Sequence, residues 1–309
     1  MNYEPSTMNS PTLIVIAGPT AIGKTAAAIQ LAQHFNTVIL SADSRQFFKE
    51  MSIGTAKPNA EELAAAPHYF INSHSISEAF SVGDFEKQGL ELLDELFKAH
   101  DIIIMVGGSG LYVKAICEGF DHIPDADDGV REKLNAELEE KGLAHLQEKL
   151  KQADPDYYNE VDINNPQRVI RALEVFESTG KPFSSYRVAN TNTRPFNIIK
   201  IALDMPRELL YSRINRRVDI MMEQGLLDEV KSLLPYRHLN ALNTVGYSEV
   251  FDYLDGKVDL DTAIDKIKQN TRRFAKRQLT WFRKDKDFHW FEANKNLHKN
   301  LLEYLLQKL

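Results

Sequence analysis

The chain has 309 residues, 43% hydrophobic and 26% charged, an ordinary globular balance in a chain too long for one average domain. Its net charge of −7 argues against a generic, salt-driven nucleic-acid binder, although local basic faces are compatible with it. The single cysteine, Cys117, excludes an internal disulfide and any multi-cysteine zinc site, and its apolar context suits a small core residue. No apolar run could span a bilayer, and residues 1–10 lack a signal-peptide core, so a cytoplasmic protein with no membrane partner is expected.

Residues 1–11 read as a loose arm. The apolar run from Thr12 to Ala17 then reads as a strand, and the stretch from Ala26 to Ala32 as a helix. Between them lies Gly18-Pro19-Thr20-Ala21-Ile22-Gly23-Lys24-Thr25, with the spacing G-x-x-x-x-G-K-[ST] of a P-loop. Glycines at these positions let backbone N–H groups turn inward around phosphate oxygens, and the new helix adds its positive dipole end. Lys24 is expected to reach the outer phosphate, and the Thr25 hydroxyl to serve as a Mg2+ ligand. The motif predicts a phosphorylated ligand without saying what happens to it.

Thr37 to Ser41 reads as a buried second strand, followed directly by Ala42-Asp43-Ser44-Arg45-Gln46. In an open parallel sheet, residues just past the carboxyl ends of strands line the ligand crevice, so Asp43 belongs at the same rim as the P-loop. It reads equally as a turn or helix-cap carboxylate and as a general base near the phosphate-bearing carbon. His68 and His74 are too isolated to suggest a metal site. A helix carrying Phe85, Leu90, Leu93, Leu96 and Phe97 leads to the strand Ile102 to Val106, which ends in Gly107-Gly108-Ser109-Gly110-Leu111-Tyr112. Many P-loop NTPases place a Mg2+-holding Asp at the end of such a strand; Gly107 stands here instead, which argues against an ATPase motor.

From Asp121 to about Asn197 the pattern becomes helical. Asp128 is expected to cap a helix with Val130, Leu134 and Leu138, stopped by Gly142. A second helix carries Leu143, Leu146 and Leu150 and ends near Asp154-Pro155, and a third runs from Asn165-Pro166 to Gly180. Three helices with no strand between them predict an all-helical subdomain, residues 121–197, inserted into an α/β core formed by residues 11–120 and 198–309. Arg131, Gln167, Arg168 and Arg171 lie on its helices, where a solvated surface is the simpler reading.

The sheet is expected to resume at Asn197 to Leu203. The following helix, Pro206 to Met222, carries an apolar stripe of Leu210, Ile214, Val218 and Met221. Arg213, Arg216 and Arg217 sit on an adjacent face, either as a solvated surface or as a clamp for a phosphate or leaving group. A last long helix, about Asp261 to Arg283, is expected to bury Ile264, Ile267, Phe274 and Trp281. Its charged positions, Arg272, Arg273, Lys276, Arg277, Arg283 and Lys284, suggest contact with a polyanion or, more simply, a basic solvated face. Asn243-Thr244-Val245-Gly246-Tyr247 is a turn for which the sequence offers no mechanism, and Leu301 to Leu306 reads as a terminal helix.

In order, these segments resemble the tRNA dimethylallyltransferases, also called tRNA isopentenyltransferases, of the bacterial type without a zinc finger. The resemblance is carried by Gly18 to Thr25, Ser41-Ala42-Asp43-Ser44-Arg45-Gln46, Gly54-Thr55-Ala56-Lys57-Pro58, Gly107 to Tyr112 and Asn165-Pro166-Gln167-Arg168. Val245-Gly246-Tyr247 and the run from Ala275 to Arg283 complete it, so that it spans Leu13 to Trp290. The chain departs from the family pattern at Ile22, where a smaller residue is usual, at Phe48, where a tyrosine is expected, and at Ser109, where threonine is more frequent. The resemblance implies a P-loop NTPase-like fold and Mg2+-dependent transfer of a dimethylallyl group. The donor would be dimethylallyl diphosphate and the acceptor N6 of the adenosine on the 3′ side of the anticodon. It further implies Asp43 as the base, with Lys24, Thr25 and Arg217 at the reacting groups. Contacts to tRNA would come from Asp43, Ser44, Arg45, Gln46, Ser109, Arg131, Asn164, Asn165, Pro166, Gln167 and Arg168, with Lys276 and Arg277 from the basic helix. The insertion would grip the anticodon stem-loop, and with no coiled-coil seam or repeat a monomer is expected. A P-loop small-molecule kinase and a non-catalytic RNA-binding protein with a vestigial nucleotide site are the competing readings.

Overall fold

The computed structural model describes residues 10–121, 123–187 and 193–309. The predicted loose arm therefore lies outside the described residues except for Ser10 and Pro11. The chain runs β1 (Thr12–Ala17), α1 (Lys24–Phe35), β2 (Ile39–Ser41), α2 (Ala60–Ala65), β3 (His68–Tyr69), α3 (Val82–Leu96), β4 (Ile102–Gly107) and α4 (Gly110–Glu118). Four helices follow, α5 (Val130–Lys141), α6 (Leu143–Ala153), α7 (Pro155–Glu160) and α8 (Pro166–Thr179). The chain closes with β5 (Asn197–Asp204), α9 (Arg207–Glu223), α10 (Leu226–Ser232), α11 (Tyr247–Leu254), α12 (Leu260–Phe282), β6 (His289–Glu292) and α13 (Leu297–Lys308).

Six parallel strands form one sheet in the order β3-β2-β4-β1-β5-β6. The central strands β1 and β4 are buried along their whole length, as expected where helices cover both faces. Register aligns their ends: Ala17 pairs with Gly107 on one side and Ala202 on the other, while Ser41 pairs with Val106. The segments leaving β1, β2 and β4 consequently depart from one carboxyl rim. The α/β core expected from the sequence is present, with apolar clusters that include Leu13, Val15, Phe47 and Phe85 in one and Ile14, Ile16, Ala28 and Leu31 in the other. Edge strands β3 and β6, absent from the sequence reading, have two and four residues and lack the apolar runs that reveal a central strand.

The chain divides into two compact units, one of residues 1–117 and 193–309, the other Glu118–Asn192. The second unit is helical throughout its regular structure and has its own core of Leu134, Leu146, Leu150, Val169, Ile170 and Leu173. It holds four helices where three were expected. Asp154, read as the end of the second, accepts the Tyr157 N–H and caps α7, with Pro155 at its first position. Gly129, at φ 83°, precedes α5 where Asp128 was expected as its cap, and no side chain caps that helix. Asn165 caps α8 as predicted, its Oδ1 accepting from the N–H groups of Gln167 and Arg168, and Gly180 ends it.

Candidate active site

Helix α1 begins without a side-chain cap: Gly23, at φ 105°, turns the chain into it, and no side chain satisfies its first N–H groups. Open N–H groups at a helix start form an anion site. The loop from Gly18 to Thr25 opens on a cavity of about 420 Å³ whose walls include Lys24, Thr25, Asp43, Arg213, Arg216 and Arg217. The three arginines of α9 thus line the same cavity as the glycine loop. Arg213 and Arg216 are exposed, whereas Arg217 is half-buried, and one of its amino groups donates to the Thr20 hydroxyl. Its Nε is buried with no hydrogen-bond partner among the described residues.

Burial shifts these cations. It pulls Lys24 down to about 8 against the opposing pull of Asp43, with Arg217 adding a further lowering. It lowers Arg217 to about 10, opposed by Asp43 and assisted by Arg213. Lys24 Nζ rests 2.8 Å from the Pro19 carbonyl oxygen, to which it donates. None of Lys24, Arg213, Arg216 and Arg217 forms a salt bridge among the described residues.

A second cavity of about 210 Å³ shares Thr20, Asp43, Thr55 and Arg217 with the first. Its remaining walls include the apolar Val218, Met221, Val245, Ile267 and Phe274. Asp43 therefore stands where a cationic chamber meets a more apolar one. One of its oxygens accepts the Arg45 N–H at 3.0 Å, the turn role anticipated for it. The other has no hydrogen-bond partner among the described residues. The turn reading of Asp43 thus has its hydrogen bond, which fixes the carboxylate at the meeting of the two cavities.

The neighbouring residues of this segment have defined partners. The Ser109 hydroxyl accepts from Ser44 N at 3.0 Å and donates to the Ser44 hydroxyl, tying the turn after β4 to the turn after β2. Gln46 Nε2 donates to the carbonyls of Thr55 and Ala56, and its Oε1 accepts from the Ser41 hydroxyl. Arg45 lines the second cavity, and burial holds its guanidinium below the usual arginine range. Phe48 is buried in the core against Phe47, so the position where a tyrosine was expected serves packing here. Ile22 is likewise a core residue. The strand end at Gly107 has no room for an acidic side chain, since a Cβ there would lie 2.2 Å from the Ala42 carbonyl oxygen.

Helix α12 corrects one expectation. Phe274 and Trp281, expected in the core, are 37% and 40% exposed. The buried stripe is instead Ala263, Ile267, Thr271, Ala275, Gln278 and Phe282, in which Ile267 was expected and the small or polar Ala263, Thr271, Ala275 and Gln278 are residues that a hydropathy pattern passes over. Gln278 accepts the Thr20 N–H at 2.8 Å and donates to the Gly108 carbonyl at 2.9 Å, bracing the glycine loop against the turn after β4. No role was assigned to it from sequence, although a glutamine on a buried helical stripe was a signal. Arg277 lies 5.7 Å from the Phe274 ring centroid on one flank of α12. Lys276 lines a separate cavity of about 330 Å³ on the other flank, with Arg207, Tyr211 and Arg283. The two basic residues proposed together as RNA contacts thus face different surfaces.

In the helical unit, Arg131 donates from two nitrogens to both carboxylate oxygens of buried Glu174 and a third time to Gln167 Oε1. Asn165 and Pro166 build the start of α8, Asn164 N donates to Asp162 Oδ1, and Gln167 and Arg168 are exposed on the first turn.

Among the described residues no three His, Cys, Asp or Glu side chains converge as a metal site. The first cavity nevertheless offers the Thr25 hydroxyl and the Asp43 carboxylate, oxygen donors that suit a hard cation taking its other ligands from phosphate and water.

Comparisons with known proteins place the chain in a family. The family described as IPP transferase matches residues 46–285. A tRNA dimethylallyltransferase of Christiangramia forsetii is 57% identical over 297 residues, covering 96% of this chain and 98% of its own. The tRNA dimethylallyltransferase 1 of Bacteroides thetaiotaomicron is 49% identical, covering 97% of each. Among solved structures, the full-length tRNA isopentenylpyrophosphate transferase of Bacillus halodurans superposes with a TM-score of 0.70 at 40% identity, covering 96% of this chain and 97% of that one. A eukaryotic dimethylallyltransferase described as acting on tRNA reaches 0.79 at 27% identity, covering 97% and 79% respectively.

Proposed function

The chain belongs to the tRNA dimethylallyltransferase, or IPP transferase, family, and on that footing we propose that it transfers a dimethylallyl group from dimethylallyl diphosphate to N6 of the adenosine 3′ to the tRNA anticodon. The observation that carries this reading is the pair of cavities meeting at Thr20, Asp43, Thr55 and Arg217. The cationic chamber suits a diphosphate, and the more apolar one suits a prenyl tail and an incoming base.

The exocyclic amine is a weak nucleophile because its lone pair is delocalised into the purine ring. As N6 attacks the allylic carbon, the carbon–oxygen bond to the diphosphate breaks and the N6 proton passes to Asp43. A base positioned in this way contributes roughly 10²–10⁴ in rate. Lys24, Arg217 and the open N–H groups of the glycine loop take up the charge that grows on the leaving oxygen. Thr25 would hold Mg2+, which when bound would supply further charge neutralisation.

Stacked bases hide N6, so the adenosine enters the second cavity flipped out of the anticodon loop. Ser44, Arg45 and Ser109 then border the base, Gln46 lies on the first cavity beside it, and Arg277 with exposed Phe274 and Trp281 offers cationic and stacking contacts to single-stranded RNA. Asn164, Asn165, Pro166, Gln167, Arg168 and Arg131 are the proposed RNA-facing residues of the helical unit, and Lys276 would meet RNA on the opposite flank of α12. We read the protein as a cytoplasmic monomer; no helix among the described residues is long and apolar enough to cross a membrane.

The test is incubation of purified protein with Mg2+, labelled dimethylallyl diphosphate and unmodified tRNA that carries an adenosine after its anticodon. Label should enter the tRNA as diphosphate is released. Folded protein that leaves the tRNA unlabelled, or moves phosphate from ATP to a small molecule, contradicts the reading.

A further inference from the structure

Glu229, on α10 and outside both cavities, gathers an unusual number of donors. Its Oε2 accepts from Ser52 N at 3.0 Å and Ile53 N at 2.8 Å, and its Oε1 from Gly54 N at 3.0 Å and the Tyr247 hydroxyl at 2.6 Å. Three successive backbone N–H groups converge on one carboxylate, with a phenol completing the set. Hydrogen bonds to an ionised acceptor are roughly twice as strong as neutral ones.

What this carboxylate holds is a wall of the active site. Residues 52–56 belong to no helix or strand; Ala56 N donates to the Ile53 carbonyl at 3.0 Å to close a turn, and the Glu229 carboxylate ties that turn to α10. Thr55 lines both cavities and Ala56 the first, with Ala56 in the left-handed region at φ 49°, a conformation that a non-glycine residue keeps only when its surroundings impose it. The carbonyls of Thr55 and Ala56 receive Gln46 Nε2, and Gln46 sits three residues after Asp43 in the turn that presents the proposed base.

Tyr247 fixes the loop from below. It is fully buried, and a Cβ at Gly54 would lie 2.4 Å from its ring, so the loop rests directly on the aromatic face and only glycine fits. Burial, and then the neighbouring Glu229, push its hydroxyl well above the usual tyrosine range, so it stays protonated and donates to the carboxylate. The Val245-Gly246-Tyr247 turn thereby acquires a mechanical explanation: Gly246 and Val245 line the second cavity while Tyr247 carries the loop opposite.

We propose that Glu229 is a positioning residue for the transfer reaction: with Tyr247 it sets the Ser52–Ala56 wall, and through Gln46 it sets the turn that holds Asp43. The proposal rests on the transferase reading for its kinetic consequence and on the loop itself for its structural one. A misplacement of about 1 Å far from the reacting atoms can cost on the order of 10²-fold in rate.

The experiment compares wild type, Glu229→Gln and Tyr247→Phe by three measurements at a temperature where melting curves show each variant folded. These are kcat and KM for transfer, calorimetric affinity for inorganic diphosphate, and hydrogen exchange of residues 52–56. Glu229→Gln turns an acceptor into a donor facing backbone N–H groups. It should speed exchange at Ile53 and Gly54 and lower kcat about 10- to 100-fold. Tyr247→Phe, which removes one bond and keeps the ring, should act in the same direction by about 2- to 10-fold. Unchanged exchange in Glu229→Gln overturns the strut whatever the activity. Faster exchange with kcat, KM and diphosphate affinity all unchanged overturns its positioning role and leaves only a structural one. A wild type that transfers no prenyl group counts against the transferase reading; the strut then stands on faster exchange with at least about 10-fold weaker diphosphate binding, and falls without it.

Discussion

The rim of the sheet and the helical unit treat their charges in opposite ways. In the helical unit the cations close on carboxylates: Arg131 on Glu174, Lys133 on Glu177, Lys149 on both Glu137 and Glu177, and Arg187 on Glu160. At the rim Lys24, Arg213, Arg216 and Arg217 gather on one cavity whose acidic lining residues are Asp43 and Glu62, and none of these four cations forms a salt bridge among the described residues. A cluster of buried or half-buried like charges is costly unless an anion completes it. The first arrangement pairs its charges within the fold; the second leaves four cations on one cavity without an ion-pair partner among the described residues.

This contrast ranks the outcomes of mutation. The largest effect is expected for Asp43→Ala, which should lower kcat by roughly 10²–10⁴ while diphosphate affinity changes little. Steady-state transfer beside calorimetry measures both, and equal losses in the two would remove Asp43 from proton transfer. Arg217→Ala comes next, with kcat/KM falling about 10- to 100-fold and with weaker diphosphate binding, because a charge-assisted contact of about 1.5–3 kcal/mol is lost. Unchanged kinetics would place Arg217 among structural cations and blur the distinction between the two regions.

On the other side, Glu174→Ala should cost about 1–3 kcal/mol of stability through the loss of the ion pair between buried Glu174 and half-exposed Arg131. Transfer measured below the melting transition should persist. A variant of full stability with abolished transfer would reverse the assignment of that pair. The smallest effect concerns pH. With Lys24 at about 8, diphosphate affinity should weaken as pH rises from 7 to 9 and the ammonium loses its proton. In the unliganded protein the sign is opposite. The unfolded chain holds this proton up to about 10.5, so stability should rise with pH from about 8 towards 10.5. Lys24→Arg should flatten both trends, since arginine stays charged throughout; trends that persist in it would have another source.

Much of the rim was legible because its signals are local. The octapeptide, the carboxylate directly after a short strand and three arginines at helical spacing each lie within one segment, and parallel pairing does the rest by bringing the strand ends level. The spacing of Asn165-Pro166 likewise located α8. What stayed hidden depends on partners distant in the chain. Gln278 meets Thr20 across 258 residues, and Glu229 meets the Ser52–Gly54 backbone across about 175. Hydropathy misplaced Phe274 and Trp281 because α12 buries alanine, threonine and glutamine at positions that carry no apolar signal.

The central claim is that the glycine loop holds a leaving diphosphate opposite an RNA nucleophile. Mass analysis of the nucleosides from tRNA incubated with the protein, Mg2+ and dimethylallyl diphosphate tests it most directly. The account predicts N6-dimethylallyl adenosine at the position following the anticodon, formed by wild type and reduced at least about 100-fold with Asp43→Ala. Unmodified adenosine throughout, or a prenyl group on another nucleotide, would contradict it.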